Sequence, residues 1–553
     1  MLWTIIKFLE FKPHMKAWNK LSLIIVAGLL GFTACGPRKT AVSTGTENQA
    51  LTITVGAAVE NIDPHVVTGV PEHHVITALF EGLVNEDPKD LHPVPGVAES
   101  WAISDDGITY TFLLRDDAKW SHGRQVTAQD FVESFKRILT ASLGSKYSYM
   151  MFPMKNAEEY LNGQITDWSE VGCKAIDDLT LEITLKESTP YFLSLLNHYT
   201  WFPVPIDIIQ KYGELYEPGN EWTLPGNFQG NGAFVLKEWI QNNKMVLAKS
   251  ESYWDRETTK LNTITFKPLV KDTVAEAAFR TGQLHNVYSL PQDQIALYKR
   301  DFPDLLHINP HLAVYFYRFN TTKKPLDDSR VRRALALAIN RKSLIDNVAK
   351  GEQMPAFSMV PPDTAGYTSK NGFEENLEEA RKLLAEAGYP NGEGFPEIEL
   401  LYNTNEGHRN IAEAIQQMWT ESLNVNIKLS NQEWKVYLDS QRNLDYDISR
   451  AGWTGDYPDP NTFLDMWTSW SEQNQTGWNN KKFDDLIKSA AGEQDSAKRF
   501  EFFQNAEAVL LEEMPIIPIY YYTRVYALRP EVKNWNPNIL DHHPWKHIYL
   551  SNE

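Results

Sequence analysis

The stretch from Ile398 to Leu429 leaves few options for the chain around it. Ile398 to Tyr402 is a short apolar run that reads as a strand, and Val425 to Leu429 reads as another. Between them, His408 to Leu423 places Ile411, Ile415 and Met418 on one helical face. A strand, a helix and a strand at this spacing form a βαβ crossover, which makes parallel sheet, so the fold is expected to be α/β. Ligands of open parallel sheets bind beyond the carboxyl ends of the strands. His408 and Trp434 each follow one of these strands and are expected at the same sheet edge. Elsewhere, Ile108, Tyr110, Phe112 and Leu114 alternate behind the turn Asp105-Asp106-Gly107 as a half-buried strand. Thr127 to Asp130 has the pattern of a capping box ahead of Phe131, Phe135 and Ile138. Ser329 is expected to cap a helix with Val331, Leu335, Ala338 and Ile339 on one face, and Leu377 to Ala387 to form a helix that ends at Gly388. For 553 residues, roughly one domain per 150 suggests about three or four lobes.

The start of the chain reads as an export signal. Lys16 and Lys20 precede an uncharged apolar run from Leu21 to Phe32 that is too short to span a membrane, and small residues follow it. Gly31 to Gly36 resembles a bacterial lipobox, in which Cys35 is acylated and becomes the new N-terminus. Residues 1–34 are then a signal peptide, with Met15 as a second possible start, and 35–50 are the anchor and a Thr- and Ser-rich tether. Lipidation of Cys35 leaves Cys173 alone, so no disulfide is expected, and Cys173 reads as a small apolar strand residue. The net charge of −19 opposes binding to nucleic acid or anionic lipid. The 17 Trp and 24 Tyr suit a cleft for an organic ligand, although most such rings fill cores.

Local signatures of hydrolases, zinc enzymes, dithiol chemistry and nucleotide binding are absent, and no cofactor is expected. Gly226 to Gly232 lacks the spacing of a phosphate cradle and reads as an irregular turn. His73-His74 and His542-His543 are adjacent pairs whose side chains would diverge on a strand, so no metal is assigned to them. The segment Arg450 to Pro460 is the most suggestive. Tyr446, Ile448 and Arg450 alternate ahead of it, and its glycines permit another backbone to approach. Asp456, beside Trp453 and Tyr457, could hold an ammonium group; a solvated turn is the competing reading.

Six motifs, in order along the chain, carry a resemblance. They are Gly69-Val70-Pro71-Glu72, Gly96-Val97-Ala98-Glu99-Ser100-Trp101, Ala118-Lys119-Trp120-Ser121, Val126 to Phe131, Asn431-Gln432-Glu433-Trp434-Lys435 and the segment around Trp453. Together they resemble the periplasmic oligopeptide-binding proteins, the substrate-binding components of peptide ABC importers in solute-binding protein family 5. The resemblance implies a three-lobed type II periplasmic-binding-protein-like fold, with the ligand between two lobes joined by a two-stranded hinge. Lobe I would comprise 51–80, 206–306 and 524–553, lobe II 81–205, and lobe III 307–523.

It also implies roles. Asp456 would bind the peptide's α-amino group beside Trp453. Val70, Gly452 and Thr454 would pair with the peptide main chain, and Trp434 would wall a side-chain pocket. Arg450, His408 and Lys323 would meet the peptide's carboxylate at different peptide lengths. Thr68 and Gln441, with Arg442 next to it, depart from the family's usual glutamate and arginine. The implied protein is a monomeric receptor and no enzyme, held in the cell envelope by Cys35, that passes short peptides to permease subunits. Alternatives are another solute, such as a murein peptide, a dipeptide or an oligosaccharide, a chaperone-like side role, or a secreted hydrolase.

Overall fold

In the computed structural model the described residues are 39–553 except 472, and the side chains of 434 and 435 are also outside the description. Cys35, its lipidation and the signal segment therefore lie outside the described residues. The expected tether is a correction: Ala41–Asn48 is a helix, because the Val42 N–H donates to the Gly282 carbonyl at 3.0 Å and Asn262 donates to the Asn48 carbonyl at 3.0 Å.

The chain then lays down β1 (Ala50–Thr54), helix α1 (Val70–Leu79), β2 (Ala98–Ile103) and β3 (Thr109–Leu114). Helix α2 (Ala128–Ile138), β4 (Cys173–Ala175) and β5 (Thr180–Thr184) follow. These four later strands form an antiparallel sheet in the order β2-β3-β5-β4. Tyr110, Phe112 and Leu114 turn inward from β3 while Leu113 is exposed, as the alternation required. Thr127 does start α2 through the expected box: its N–H donates to the Asp130 carboxylate at 2.9 Å. Cys173 is a buried free thiol on β4. Beneath α2, the buried Arg137 forms two bonds to Asp63, at 3.0 and 2.7 Å, and donates to the Leu215 carbonyl.

Strands β6 (Phe234–Ile240), β7 (Lys244–Lys249) and β8 (Thr263–Lys267) join β1 in the order β1-β8-β7-β6, with β1 parallel to β8. The glycine-rich turn before β6 is a packing turn. The Gly232 N–H donates to the Leu79 carbonyl at the end of α1, where a Cβ on Gly232 would lie 2.5 Å from the Leu79 carbonyl carbon.

The largest sheet contains β9 (Asn286–Val287), β10 (Leu306–Phe319), β11 (Met354–Pro355) and β12 (Ile398–Asn403). It is completed by β13 (Ile427–Gln432), β14 (Ile448–Thr454) and β15 (Ile516–Leu528). The order is β9-β15-β10-β14-β12-β13, with β11 also on β15. Between β10 and β11 lies α3 (Ser329–Leu337); α4 (Glu406–Leu423) and α5 (Trp434–Arg442) follow β12 and β13. Asp328 caps α3, accepting from the Arg330 N–H at 2.9 Å, where Ser329 was expected to. The carboxylate one residue earlier reaches that donor, and Ser329 becomes the first helical residue.

The βαβ unit is present as β12-α4-β13, paired in parallel from Ile398↔Ile427 to Asn403↔Gln432. Its second strand begins two residues later than the apolar run suggests, because Asn424 closes α4 in the left-handed region at φ 55° and Val425 is buried in the turn. Strands β10 and β15 pair antiparallel over most of their length, with a shift in register between Pro310 and Val314. Proline has no N–H to give the ladder there.

Candidate functional site

The site grows from β14. On one side β14 pairs with β10 from Phe319↔Ile448 to Ala313↔Thr454. On the other it meets β12 only at Leu400↔Ile448 and Leu401↔Ser449. Beyond Arg450, whose carbonyl is taken by Gln441 and Tyr437, this second edge has no strand partner among the described residues, so its remaining backbone groups are open to an added strand. Gly452 is exposed on this edge, where a Cβ would come within 3.2 Å of the Tyr522 hydroxyl and 3.3 Å of Arg450 Nη2. A side chain here would fill the space beside the free edge.

Past the end of β14 lies a cavity of about 460 Å³, lined by Val70, Trp453, Thr454 and Asp456 among others. Thr68 faces the same space. Desolvation pushes the Asp456 carboxyl up to about 7. Among the described residues that carboxyl has no cation or hydrogen-bond donor; only its backbone N–H is held, by Thr462 Oγ1 at 3.2 Å. Asp465 nearby is also pushed up to about 7, by burial first and then by Asp456 and Asp459. The Trp453 indole N–H is buried without a partner. A half-buried, unpaired carboxylate opening on a cavity is a place where a ligand cation would recover what burial costs.

Arg450 and His408 form a second cluster that does not line the cavity. Arg450 donates to the Tyr522 hydroxyl at 2.7 Å and to Asn403 Oδ1 at 3.2 Å, lies 4.8 Å from the Tyr315 ring centroid and leaves Nε buried without a partner. His408, in the first turn of α4, packs 5.7 Å from the same ring, and burial followed by Arg450 drives its pKa down to about 3. No carboxylate pairs with Arg450 among the described residues. Lys323 is engaged instead with Asp447 at 3.3 Å. Trp434 opens α5 just after β13, the position expected of it, and its side chain lies outside the described residues. Gln441 turns inward, donating to Ser449 Oγ at 2.8 Å and to the Arg450 carbonyl, which also accepts from the Tyr437 hydroxyl.

Two groups lining the cavity were given no ligand role from the sequence. Tyr147, Tyr149 and Tyr199 stand around Asp456, whose charge raises the pKa of each beyond the effect of burial. The other group is a set of imidazoles. His73 sits on helix α1, not a strand, and its ring stacks on His542, 4.5 Å away between centroids. His542 is held by Glu86 at 2.8 Å; burial opposes its charge, and Glu86 more than offsets this and raises its pKa. His73 is driven well below the usual range by burial and by its histidine neighbours. The doubled histidines and the Tyr147-Ser148-Tyr149 repeat were the available signals, but nothing local says that positions hundreds of residues apart share one wall.

This architecture, with a cavity beside a free strand edge, is that of a type II periplasmic binding protein. The chain belongs to the bacterial extracellular solute-binding proteins, family 5, whose description (family 5 Middle) matches residues 92–475. It is 38% identical over 539 residues to the periplasmic oligopeptide-binding protein OppA of Escherichia coli, covering 95% of this chain and 97% of that one. Among solved structures, it is similar to the E. coli murein tripeptide-binding protein MppA, with TM-score 0.80 and 36% identity, covering 91% of this chain and 99% of that one. It is also similar to Haemophilus influenzae OppA in complex with RPPGFSPFR, with TM-score 0.77, 33% identity and the same coverage.

Proposed function

We propose that the protein is an extracytoplasmic receptor that binds short peptides and delivers them, chemically unchanged, to the permease of an ABC importer. The observation behind this reading is the juxtaposition of Asp456, a desolvated carboxylate without a cation, and the unpaired edge of β14. A peptide running along that edge would bond through its main chain, which tolerates any side chain, while its ammonium group neutralises Asp456. Val70, Gly452 and Thr454 supply main-chain partners in this reading, Trp453 and Trp434 supply walls, and Tyr147 and Tyr149 add hydroxyls near the amine. Arg450, His408 and Lys323 are assigned to the ligand carboxylate; Arg450 is favoured because Lys323 already has Asp447. Lobes 51–80 with 206–306 and 524–553, 81–205, and 307–523 close on the ligand about β10 and β15.

The chain acts as a monomer, tethered to the envelope through acylated Cys35. Among the described residues no helix is long and apolar enough to cross a membrane. Cys35→Ser should move the protein from the membrane fraction to the soluble one.

A murein peptide is the second reading, favoured by the similarity to MppA; mass spectrometry of ligand retained on purification distinguishes the two. The central test is calorimetry with a free and an N-acetylated peptide of the same sequence. Losing the ion pair should cost about 2–5 kcal/mol, and Asp456→Asn should weaken the free peptide to the level of the acetylated one. Equal binding of both peptides by the wild type would remove Asp456 from the site.

A further inference from the structure

Outside the cavity, one tyrosine joins parts of the molecule that belong to different sheets. Tyr191 precedes the short helix Phe192–Leu195, in the stretch that also contains the β2-β3-β5-β4 sheet. Its ring lies flat on Tyr457, with centroids 4.7 Å apart and planes 8° from parallel. The Tyr191 hydroxyl accepts from Asn461 Nδ2 at 3.2 Å. The Arg499 guanidinium sits 5.4 Å from the Tyr191 ring centroid and is clamped by Asp459 with two bonds of 2.7 and 2.8 Å. Tyr457, Asp459, Asn461 and Arg499 thus form a built platform that receives a single ring. A second bond between the same two stretches, Gln494 Nε2 to the Asp106 carbonyl at 2.8 Å, lies at the surface.

The platform is continuous with the ligand site, since Tyr457 directly follows Asp456. Tyr191 itself does not line the cavity. Its hydroxyl is pushed up by burial, and then by Asp465 and Asp459, so it stays protonated across the working pH range and the contact needs no titration to form.

We propose that Tyr191 is a clasp: it holds the sheet-bearing stretch 98–195 against the platform and so sets how long a ligand stays, without touching the ligand. It is a positioning residue. The proposal rests on the reading that ligand is enclosed beside Asp456, and it adds a residue to which neither the motifs nor the cavity points. An offset or parallel aromatic pair contributes a modest free energy beyond area burial, which corresponds to about tenfold in an equilibrium constant at its upper end. Because the pair forms only when the two stretches meet, most of that factor should appear in dissociation.

The test compares full-length wild type with Tyr191→Phe, Tyr191→Ala and Tyr191→Leu. Stopped-flow dissociation of a free-amine peptide, followed by tryptophan emission, should be about tenfold faster in Tyr191→Ala and Tyr191→Leu, with association within about twofold of wild type. Tyr191→Phe keeps the stack and should behave as wild type. The ratio of free to N-acetylated peptide affinity should be the same in all four. The leucine variant, which keeps an apolar filler, decides the matter where alanine fails to fold. Unchanged dissociation in both, or equal acceleration in Tyr191→Phe, overturns the clasp. Scattering from the ligand-free proteins is a second readout: Tyr191→Leu should be more expanded than wild type and Tyr191→Phe should not. Identical curves overturn the clasp whatever the peptide does. Failure of wild type to bind any peptide refutes the peptide reading instead, and the scattering comparison still decides the clasp.

Discussion

Peptide affinity should fall steeply below neutral pH, and binding should release a proton. In the ligand-free cavity the Asp456 carboxyl is held near 7, against 3.8 for an exposed aspartate, with burial as the cause. At 1.36 kcal/mol per unit, ionising it there costs about 4 kcal/mol more than in water. A ligand ammonium binds the ionised form, so observed affinity scales with the ionised fraction: about half at pH 7 and roughly one part in a hundred at pH 5. Affinity should therefore drop close to tenfold per pH unit below about 6.5. Above about pH 8 it should fall again as the peptide's own α-amine deprotonates.

Calorimetry at pH 6 in two buffers of different ionisation enthalpy reads the proton directly, and about 0.9 should be released per peptide bound. Asp456→Asn should abolish the release. Asp456 in turn helps raise the neighbouring Asp465, after burial, so Asp456→Asn should lower the Asp465 pKa as well. The sign for stability is opposite. A carboxyl whose folded pKa is raised destabilises the fold as pH rises between the unfolded and folded values, so Asp456→Asn should raise the melting temperature of the ligand-free protein at pH 8. Flat affinity from pH 5 to 7.5 with no proton released would refute a desolvated, unpaired Asp456.

Gly452→Val should lower peptide affinity at least about tenfold through the blocked β14 edge, while the melting temperature, read by scanning calorimetry, falls only slightly, because the new Cβ crowds the side-chain ends of Tyr522 and Arg450 and no backbone. Asp63→Asn should destabilise the fold by about 3–5 kcal/mol, since it strands the fully buried Arg137; denaturant unfolding measures this. As Asp63 is held below the ordinary carboxylate value, with burial opposing and Arg137 outweighing it, its contribution should be present at neutral pH. It should be lost as pH falls through the acid range.

Local pattern made much of the architecture legible. Alternation across β3, the capping box of α2 and the strand, helix and strand of β12-α4-β13 each depend on residues close in sequence, whose backbone and side-chain geometry is set by neighbours three or four positions away at most. The same holds for the Arg450 to Pro460 segment, because an alternating strand, glycines and an aspartate among aromatics are adjacent in the chain. Boundaries shifted where a nearer donor or acceptor won, as at Asp328, or where Asn424 had to turn the chain before β13 could begin. The tether failed for a tertiary reason: partners at Asn262 and Gly282, not composition, fold residues 41–48. What the sequence could not disclose is which distant pieces share a surface. His542 meets Glu86 across 456 positions and Asn461 meets Tyr191 across 270. Neither pairing has a local signal, because each exists only once separate sheets have been brought together. The raised pKa of Asp456 is of this kind as well: the residue is local, but the walls that displace water from it are drawn from distant parts of the chain.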